Sequence, residues 1–553
     1  MPTVTLLLQL VKLSVEIVAV LALSSLSLHI ARGALSRRTK YRVLRSIPGP
    51  PHTSFMTGNL KKLYDPSGAL YGSLRQYGGV VKIHGLFGDV SLAVSDPRAL
   101  TQILIQDIAN YPAIDWSAIL GLLGPGLLAH NGPPHRQQRK LLNPSFSPTN
   151  IRKLTPLVHE ISRELRDAIA KDVLSGGARE REIDIAEWFS RAGLEMIARA
   201  GLGHSFHAFQ GEGDAYAQAV KAIAPTFMEL GTMVPFFVMN GAGGLPPSLL
   251  RFLGSSAALV SPAYRRMVDV IHTLRRESHA IWEARKKARK DGLDDGQQLL
   301  SVLLDASGED RVPDELLSGH ATTTLVAGTD TTSTALSRIL HLLTLQPNVQ
   351  DKLRQEIVRA QSASIGEGNI DGLAYDALMK LPFLDAVCRE TLRLFAPLPF
   401  RNRRSLRSHI VTLTDGTSVH IPAHTEILVN IHSLNTDESI WGPDAHEWKP
   451  ERWLKPLPQS VSQTKIPGVW GGAMTFGAGP KGCIGFTFSV LEMKSILATI
   501  LPAFRFSLPQ ERKLEWRFGP IVVPGVRGEM SVNPRMPLAV EVLQVDSVPS
   551  GAF

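Results

Sequence analysis

The ten residues Phe476-Gly477-Ala478-Gly479-Pro480-Lys481-Gly482-Cys483-Ile484-Gly485 leave the backbone few choices. Three glycines and a proline crowd ahead of one cysteine, and an apolar, helix-like run from Phe486 to Ile500 follows. Such a stretch reads as a tight loop that exposes its backbone and delivers a thiol at the start of a helix. Unpaired amide N–H groups there favour negative charge. A cysteine so placed leans toward thiolate, the form that binds metal. The plainer reading of a lone cysteine is a buried, inert thiol, and the loop around Cys483 argues against it.

Gly477, Gly479 and Gly482 also spell G-x-G-x-x-G. As a dinucleotide fingerprint that motif needs a buried strand before it and an acidic residue about twenty positions after it. Only the short apolar stub Met474 to Phe476 precedes the loop, and no Asp or Glu lies between Glu492 and Glu511. The nucleotide reading fails.

With 44% hydrophobic and 20% charged residues, the chain has the composition of a globular protein with a real core. Two cysteines in 553 residues exclude a disulfide framework and any multi-cysteine zinc or iron–sulfur centre. The net charge of +9 is local: Arg32, Arg37, Arg38, Lys40, Arg42 and Arg45 supply six of those charges, leaving +3 for the rest. A nucleic-acid binder shows a basic face within its folded domain, so no nucleic-acid partner is expected.

Leu6 to Ile30 is apolar and long enough to cross a bilayer core, interrupted by Lys12 and Glu16, which can pair at i,i+4. A cleaved signal peptide carries its basic residues before the apolar run; here they follow it. The positive-inside rule keeps them, and the body, on the cytoplasmic side. The expected organisation is a membrane anchor over residues 1–31, a basic and proline-rich linker over 32–51, and a catalytic domain over 52–553. Within the linker, Pro48-Gly49-Pro50-Pro51 stiffens the connection.

Val80 to Ile83 and Val90 to Val94 read as a hairpin, and Asp96-Pro97 as a helix start. His135 to Leu142 follows Pro133-Pro134 as another helix start, with His135 and Arg139 on one face. A solvated basic face is the bland alternative there. Thr149 to Gly203 is helical in period. Thr226 to Gly254 is loose, apolar and rich in Gly and Pro, fitting a lid, a membrane-dipping patch or ordinary core. Arg285 to Lys290 reads as a solvated helix end. Pro313 to Gln346 is the longest helical stretch, weakened at its middle by Gly328 and a crowd of threonines. Asp415-Gly416 reads as a hairpin turn.

The cysteine loop resembles that of the cytochrome P450 haem-thiolate monooxygenases, Phe-x-x-Gly-x-Arg-x-Cys-x-Gly, with Lys481 in place of the usual Arg. Ala327-Gly328-Thr329-Asp330-Thr331-Thr332 is similar to the family's oxygen-activation motif. Glu390-x-x-Arg393 with Pro450-Glu451-Arg452 is similar to its structural Glu–Arg–Arg cluster. The likeness runs from about residue 48 to the C-terminus, of the eukaryotic, membrane-anchored microsomal type. It implies one mainly α unit with a small β region, haem lying between a long central helix and the cysteine loop. It implies haem b on the Cys483 thiolate, Phe476 against the cofactor, and Asp330 and Thr331 relaying protons. His135 (where the family has Trp), Arg139, Arg403 and Lys481 would hold the propionates, with Arg401 and Arg404 close enough to compete for the role of Arg403. Gly328 would let haem and oxygen approach the helix backbone, Cys388 would be a packed thiol, and Phe518 to Pro524 the last pocket wall.

The resemblance further implies a monooxygenase at the endoplasmic reticulum membrane, its catalytic domain facing the cytoplasm. NADPH would supply electrons through cytochrome P450 reductase, with cytochrome b5 as a further donor, and the substrate would be a small apolar molecule such as a terpenoid of secondary metabolism. A haem-thiolate isomerase or dehydratase, or a non-catalytic haem-binding membrane protein, has no use for the acid–threonine pair.

Overall fold

The computed structural model describes residue 35 and residues 37–543, except 64, 66, 114–123, 212–214, 231–246, 260, 293–297, 302, 304–312, 367–371, 520, 530 and 532. The apolar run Leu6 to Ile30 lies outside the described residues, as do the middle of the Tyr111–Gly126 segment and much of Thr226–Gly254.

The hairpin expected near the N-terminus forms from β1 (Val80–His84) and β2 (Val90–Val94), with Val80 opposite Val94. It is half of a larger sheet. Strands β3 (Phe400–Arg404) and β4 (Glu426–Asn430), more than 300 residues along, extend it in the order β1-β2-β4-β3. β2 and β4 run parallel, and β3 and β4 antiparallel with Arg401 opposite Val429 and Arg403 opposite Ile427. Val90, Leu92, Ile427 and Val429 bury one face in a core of their own. The basic linker docks here. Residues 37–44 are helical, Lys40 pairs with Asp89 at 2.5 Å, and Leu44 is buried in this core.

The helical layer includes α1 (Gly132–Leu142), α2 (Thr155–Leu174), α3 (Ile185–Leu202), α4 (Pro262–Lys290), α5 (Asp314–Leu345) and α6 (Pro382–Leu394). α7 (Phe486–Ala503) follows the cysteine loop. Leu165, Leu194, Leu336, Leu384 and Leu497 come from five of these helices into one continuous core. Each such side chain contributes roughly 1.5–3 kcal/mol by leaving water. Among the described residues α7 is the one helix long and apolar enough to cross a membrane, but two thirds of it is buried inside the protein. It is a core helix.

α5 begins after Pro313 and ends before Pro347, spanning 32 residues. Its threonines do not break it, because several turn their hydroxyls onto the carbonyl four residues back: Thr322 to Ser318, Thr329 to Leu325, Thr331 to Ala327. The helix packs along α3 with almost no spacing. A Cβ on Gly193 would lie 2.9 Å from the Thr329 carbonyl oxygen, and one on Gly328 would lie 2.7 Å from Ile197 Cγ1. Gly328 therefore serves the contact between α5 and α3, which corrects the expectation that its missing side chain makes room for a ligand.

Two further readings change. Arg285, taken with the solvated helix end, is buried and donates to Ser301 at 2.7 Å and Gln298 at 2.5 Å. The stretch Thr149 to Gly203 is interrupted by a strand, Glu180–Asp184, which pairs with Pro537–Val542. The Asp415-Gly416 hairpin forms as expected, joining His409–Thr412 to Ser418–Ile421.

Candidate active site

The cysteine loop hangs from β6 (Ala473–Ala478), which pairs with β5 (Gly468–Trp470) in a two-stranded antiparallel ribbon. That ribbon is not the parallel sheet a dinucleotide fold requires. Gly477 and Gly479 take left-handed φ values of 75° and 61°, conformations that glycine adopts without steric cost. A Cβ on Gly479 would lie 2.4 Å from the Leu104 carbonyl oxygen. The loop closes with the Cys483 N–H donating to the Phe476 carbonyl at 2.8 Å. Phe476 packs edge-on against Trp470 at 5.4 Å. Gly485 caps α7, so the thiol sits just ahead of the helix. Burial pushes the Cys483 thiol pKa up, while Arg401, the Gly485 N–H and Arg139 pull it down. Desolvation is the largest of these effects and opposes the lean toward thiolate expected from the helix start.

Behind the loop, Glu390 and Arg393 on α6 form a bidentate pair, Arg393 Nε to Oε2 at 2.9 Å and an Nη to Oε1 at 2.8 Å. Both side chains are fully buried. Arg452 adds Nε to Oε1 at 3.2 Å, and the Trp453 indole N–H reaches Oε2 at 2.9 Å. Every lone pair of the carboxylate is engaged, which a buried ion needs. The cluster reaches the cysteine strand through Asn435. Arg393 donates to the Asn435 carbonyl at 2.7 Å, and the Asn435 side chain accepts from Met474 N at 2.8 Å and donates to Thr475 Oγ1 at 3.1 Å. Asn435 and Thr475 carry no sequence signal of their own. Cys388, on the same helix, is fully buried and burial pushes its thiol to about 12, the inert partner expected.

A group of basic side chains faces the loop. His135 on α1 is buried, and burial first, then Lys481, Arg139, His130 and Arg403, pull its pKa to about 4. Arg139 donates to the Gly482 carbonyl at 2.6 Å and to Asn143 at 2.9 Å. Lys481 donates to the His130 carbonyl. Arg401 and Arg403 alternate along β3 and share a face. Arg404 points the other way and pairs with Glu426 at 2.9 Å. Of the three candidates on that strand, Arg404 is thus already committed elsewhere. Arg403 is buried and Arg401 half-buried, each with a buried Nε that has no partner among the described residues; burial pulls both pKa values down, that of Arg403 to about 10.

On α5, Ala327 is exposed although Leu325 and Thr329 are buried, so this face of the helix borders an opening. Asp330 and Thr331 flank it, half-buried, and the Thr331 hydroxyl donates to the Ala327 carbonyl at 2.8 Å. Below, Thr332 reaches Ser489 on α7 at 3.1 Å, and Glu492 is fully buried with its pKa pushed well up by desolvation. Of the Tyr111–Gly126 segment, the described end passes over α5, where a Cβ on Gly126 would lie 2.3 Å from the Gly319 carbonyl oxygen.

Guanidinium groups withdrawn from water without acidic partners among the described residues ask for an anion, and their forked N–H donors suit carboxylates. Together with a lone loop thiol and an open helix face, they fit an iron porphyrin with two propionates. A mainly helical body with that site defines a haem-thiolate protein. The comparisons agree: the Cytochrome P450 family model matches residues 48–531, and the chain belongs to that family. It is 41% identical to Cytochrome P450 monooxygenase 91 of Postia placenta, over 93% of this chain and 97% of that one. It is 37% identical to a ganoderic acid synthetase of Ganoderma lucidum (90% and 94% covered) and 31% to the monooxygenase eriI of Hericium erinaceus (91% and 95%).

Proposed function

We propose that this enzyme inserts one oxygen atom from O2 into a small apolar secondary metabolite, with electrons from NADPH delivered by cytochrome P450 reductase, and that residues 1–31 anchor it in the endoplasmic reticulum membrane. The observation that carries the reading is that α7, which begins just past Cys483, meets the helix of the acid–threonine pair at the Thr332–Ser489 contact. Haem held by the cysteine thiolate supplies oxygen activation, the thiolate pushing electron density that favours O–O cleavage. The chain's own residues do the rest.

His135, Arg139, Arg403 and Lys481 would hold the propionates, and Arg401 shares the buried face with Arg403. Lys481 offers a point charge where a guanidinium would offer a fork. Phe476 would pack beside the cofactor. Asp330 and Thr331 would hold and pass protons at their carboxyl and hydroxyl oxygens. The Thr331 hydroxyl donates to the Ala327 carbonyl, so its proton is redirected by rotation about the Cβ–Oγ1 bond. Arg136 and Lys140 are exposed on α1, suited to an acidic electron-donor surface, reductase or cytochrome b5. That a relative is named ganoderic acid synthetase supports a secondary metabolite as substrate.

The test is the carbon monoxide spectrum of the reduced, purified protein, which should show the far-red-shifted Soret band of a thiolate ligand and lose it in Cys483→Ser. With NADPH and reductase, Thr331→Ala should keep haem but divert electrons to peroxide. Unchanged coupling would remove Thr331 from the relay, and a missing thiolate band would remove the oxygenase.

A further inference from the structure

Two turns beyond Thr331, α5 carries Arg338 on the same face, with Thr334 between them. The Arg338 guanidinium carbon stacks 3.3 Å from the Trp516 ring centroid and 4.3 Å from that of Phe395. Among the described residues nothing pairs with it by ion pair or hydrogen bond. Burial pulls its pKa well below the usual range, yet the residue keeps accessible surface, all of it consistent with the cavity it lines. That cavity, of about 220 Å³, is also bordered by Thr334, Pro397, Phe518 and Val522.

Among the described residues that line it, no other charge competes. His341 accepts from the Trp516 indole N–H at 2.9 Å and is held neutral, its pKa pulled to about 4 by burial first and then by Arg338 itself. His432 is likewise lowered by burial, and the Tyr71 hydroxyl donates to the Pro399 carbonyl at 2.5 Å. Asp65, beside the rim residue Ser67, is taken up by the Ser67 hydroxyl and N–H at the surface. Two aromatic faces attract the cation but leave its in-plane N–H donors unmade. A carboxylate meets those donors with two parallel bonds.

We propose that this cavity takes the carboxylate of a monocarboxylic acid substrate and that Arg338 is the residue that selects for it. The proposal rests on the oxygenase reading, for which it names the substrate class. One cation among neutral groups matches a monoanion on an apolar body better than a phosphate dianion. Arg338 lies about 10 Å along the helix from Thr331, so an anchored acid presents carbons remote from its carboxylate to the acid–threonine pair.

The full-length holoenzyme decides this by calorimetry with two matched probe pairs, dodecanoate against methyl dodecanoate and abietate against methyl abietate. Each acid should bind about tenfold tighter than its ester; Arg338→Gln should bring the pair to near parity, and Arg338→Lys should keep part of the preference. Equal affinities in the unaltered enzyme, or a preference that survives Arg338→Gln in a variant with unaltered melting and carbon monoxide spectrum, would overturn the proposal. The acid-to-ester comparison needs no variant, so a misfolded one does not shelter it. The heat of binding is read independently of the thiolate band, so loss of the oxygenase reading and loss of the acid site are separate results.

Discussion

Gly328 on α5 and Ile197 on α3 stand so close that a Cβ on the glycine would lie 2.7 Å from Ile197 Cγ1 and 3.1 Å from its Cβ. The contact sets how near the central helix can lie to its neighbour. It therefore sets where Asp330 and Thr331 stand. Gly328→Ala gains up to about 1 kcal/mol in helix propensity but forces overpacking that costs about 1–3 kcal/mol. The expected net effect is a lower urea midpoint, partly restored by adding Ile197→Ala. A Gly328→Ala variant as stable as the parent would refute the contact.

Glu390 holds two buried arginines, and its loss leaves both uncompensated. Glu390→Ala should cost about 3–5 kcal/mol and reduce haem content, because the same cluster supports the cysteine strand through Asn435. Glu390→Gln, which keeps an acceptor, should fall between. Melting curves and the haem-to-protein ratio check it; wild-type values for the alanine variant would contradict it.

Arg139 links α1 to the Gly482 carbonyl next to the thiol. A hydrogen bond from a charged donor contributes about 1.5–3 kcal/mol, so Arg139→Ala should release haem to apomyoglobin roughly tenfold faster or more. An unchanged transfer rate would return α1 to the status of a solvated basic face.

Two buried groups give pH dependences of opposite sign. His320 has its pKa pulled by burial from 6.5 to about 4, so between those values the unfolded chain binds the extra proton and stability falls as pH drops. The effect is on the order of 3 kcal/mol, and His320→Gln should flatten that limb of a melting-temperature profile. Glu492 is raised above 4.5 by desolvation. Its contribution is complete below pH 4.5 and is lost as pH rises toward the folded-state value. Glu492→Gln should then melt higher than the parent at pH 8, with little difference at pH 4. A parallel shift at both pH values would assign Glu492 a packing role alone.

Much of the site was legible because its parts are local. The cysteine loop, the long helix with Asp330 and Thr331, and the i,i+3 pair Glu390 and Arg393 are contiguous motifs whose chemistry shows in their spacing. The separation of Arg401 and Arg403 from Arg404 was not legible, since strand alternation assigns faces only once β3 is paired with β4. Gly328 was misread for a related reason: a glycine records that something comes close, not what. The burial of Arg285 and the pairing of Glu180–Asp184 with the C-terminal strand depend on partners far along the chain.

From its order of residues alone the chain marks out its candidate chemical groups: a thiol delivered by glycines, and an acid beside a hydroxyl on a helix with many threonines. Those are properties of neighbours in sequence, governed by backbone conformation and short-range spacing. Only the folded arrangement decides where charge goes unanswered. Arg338, Arg401 and Arg403 read as ordinary arginines until packing withdraws them from water and, among the described residues, sets no carboxylate in an ion pair with them, because desolvation is set by the whole molecule.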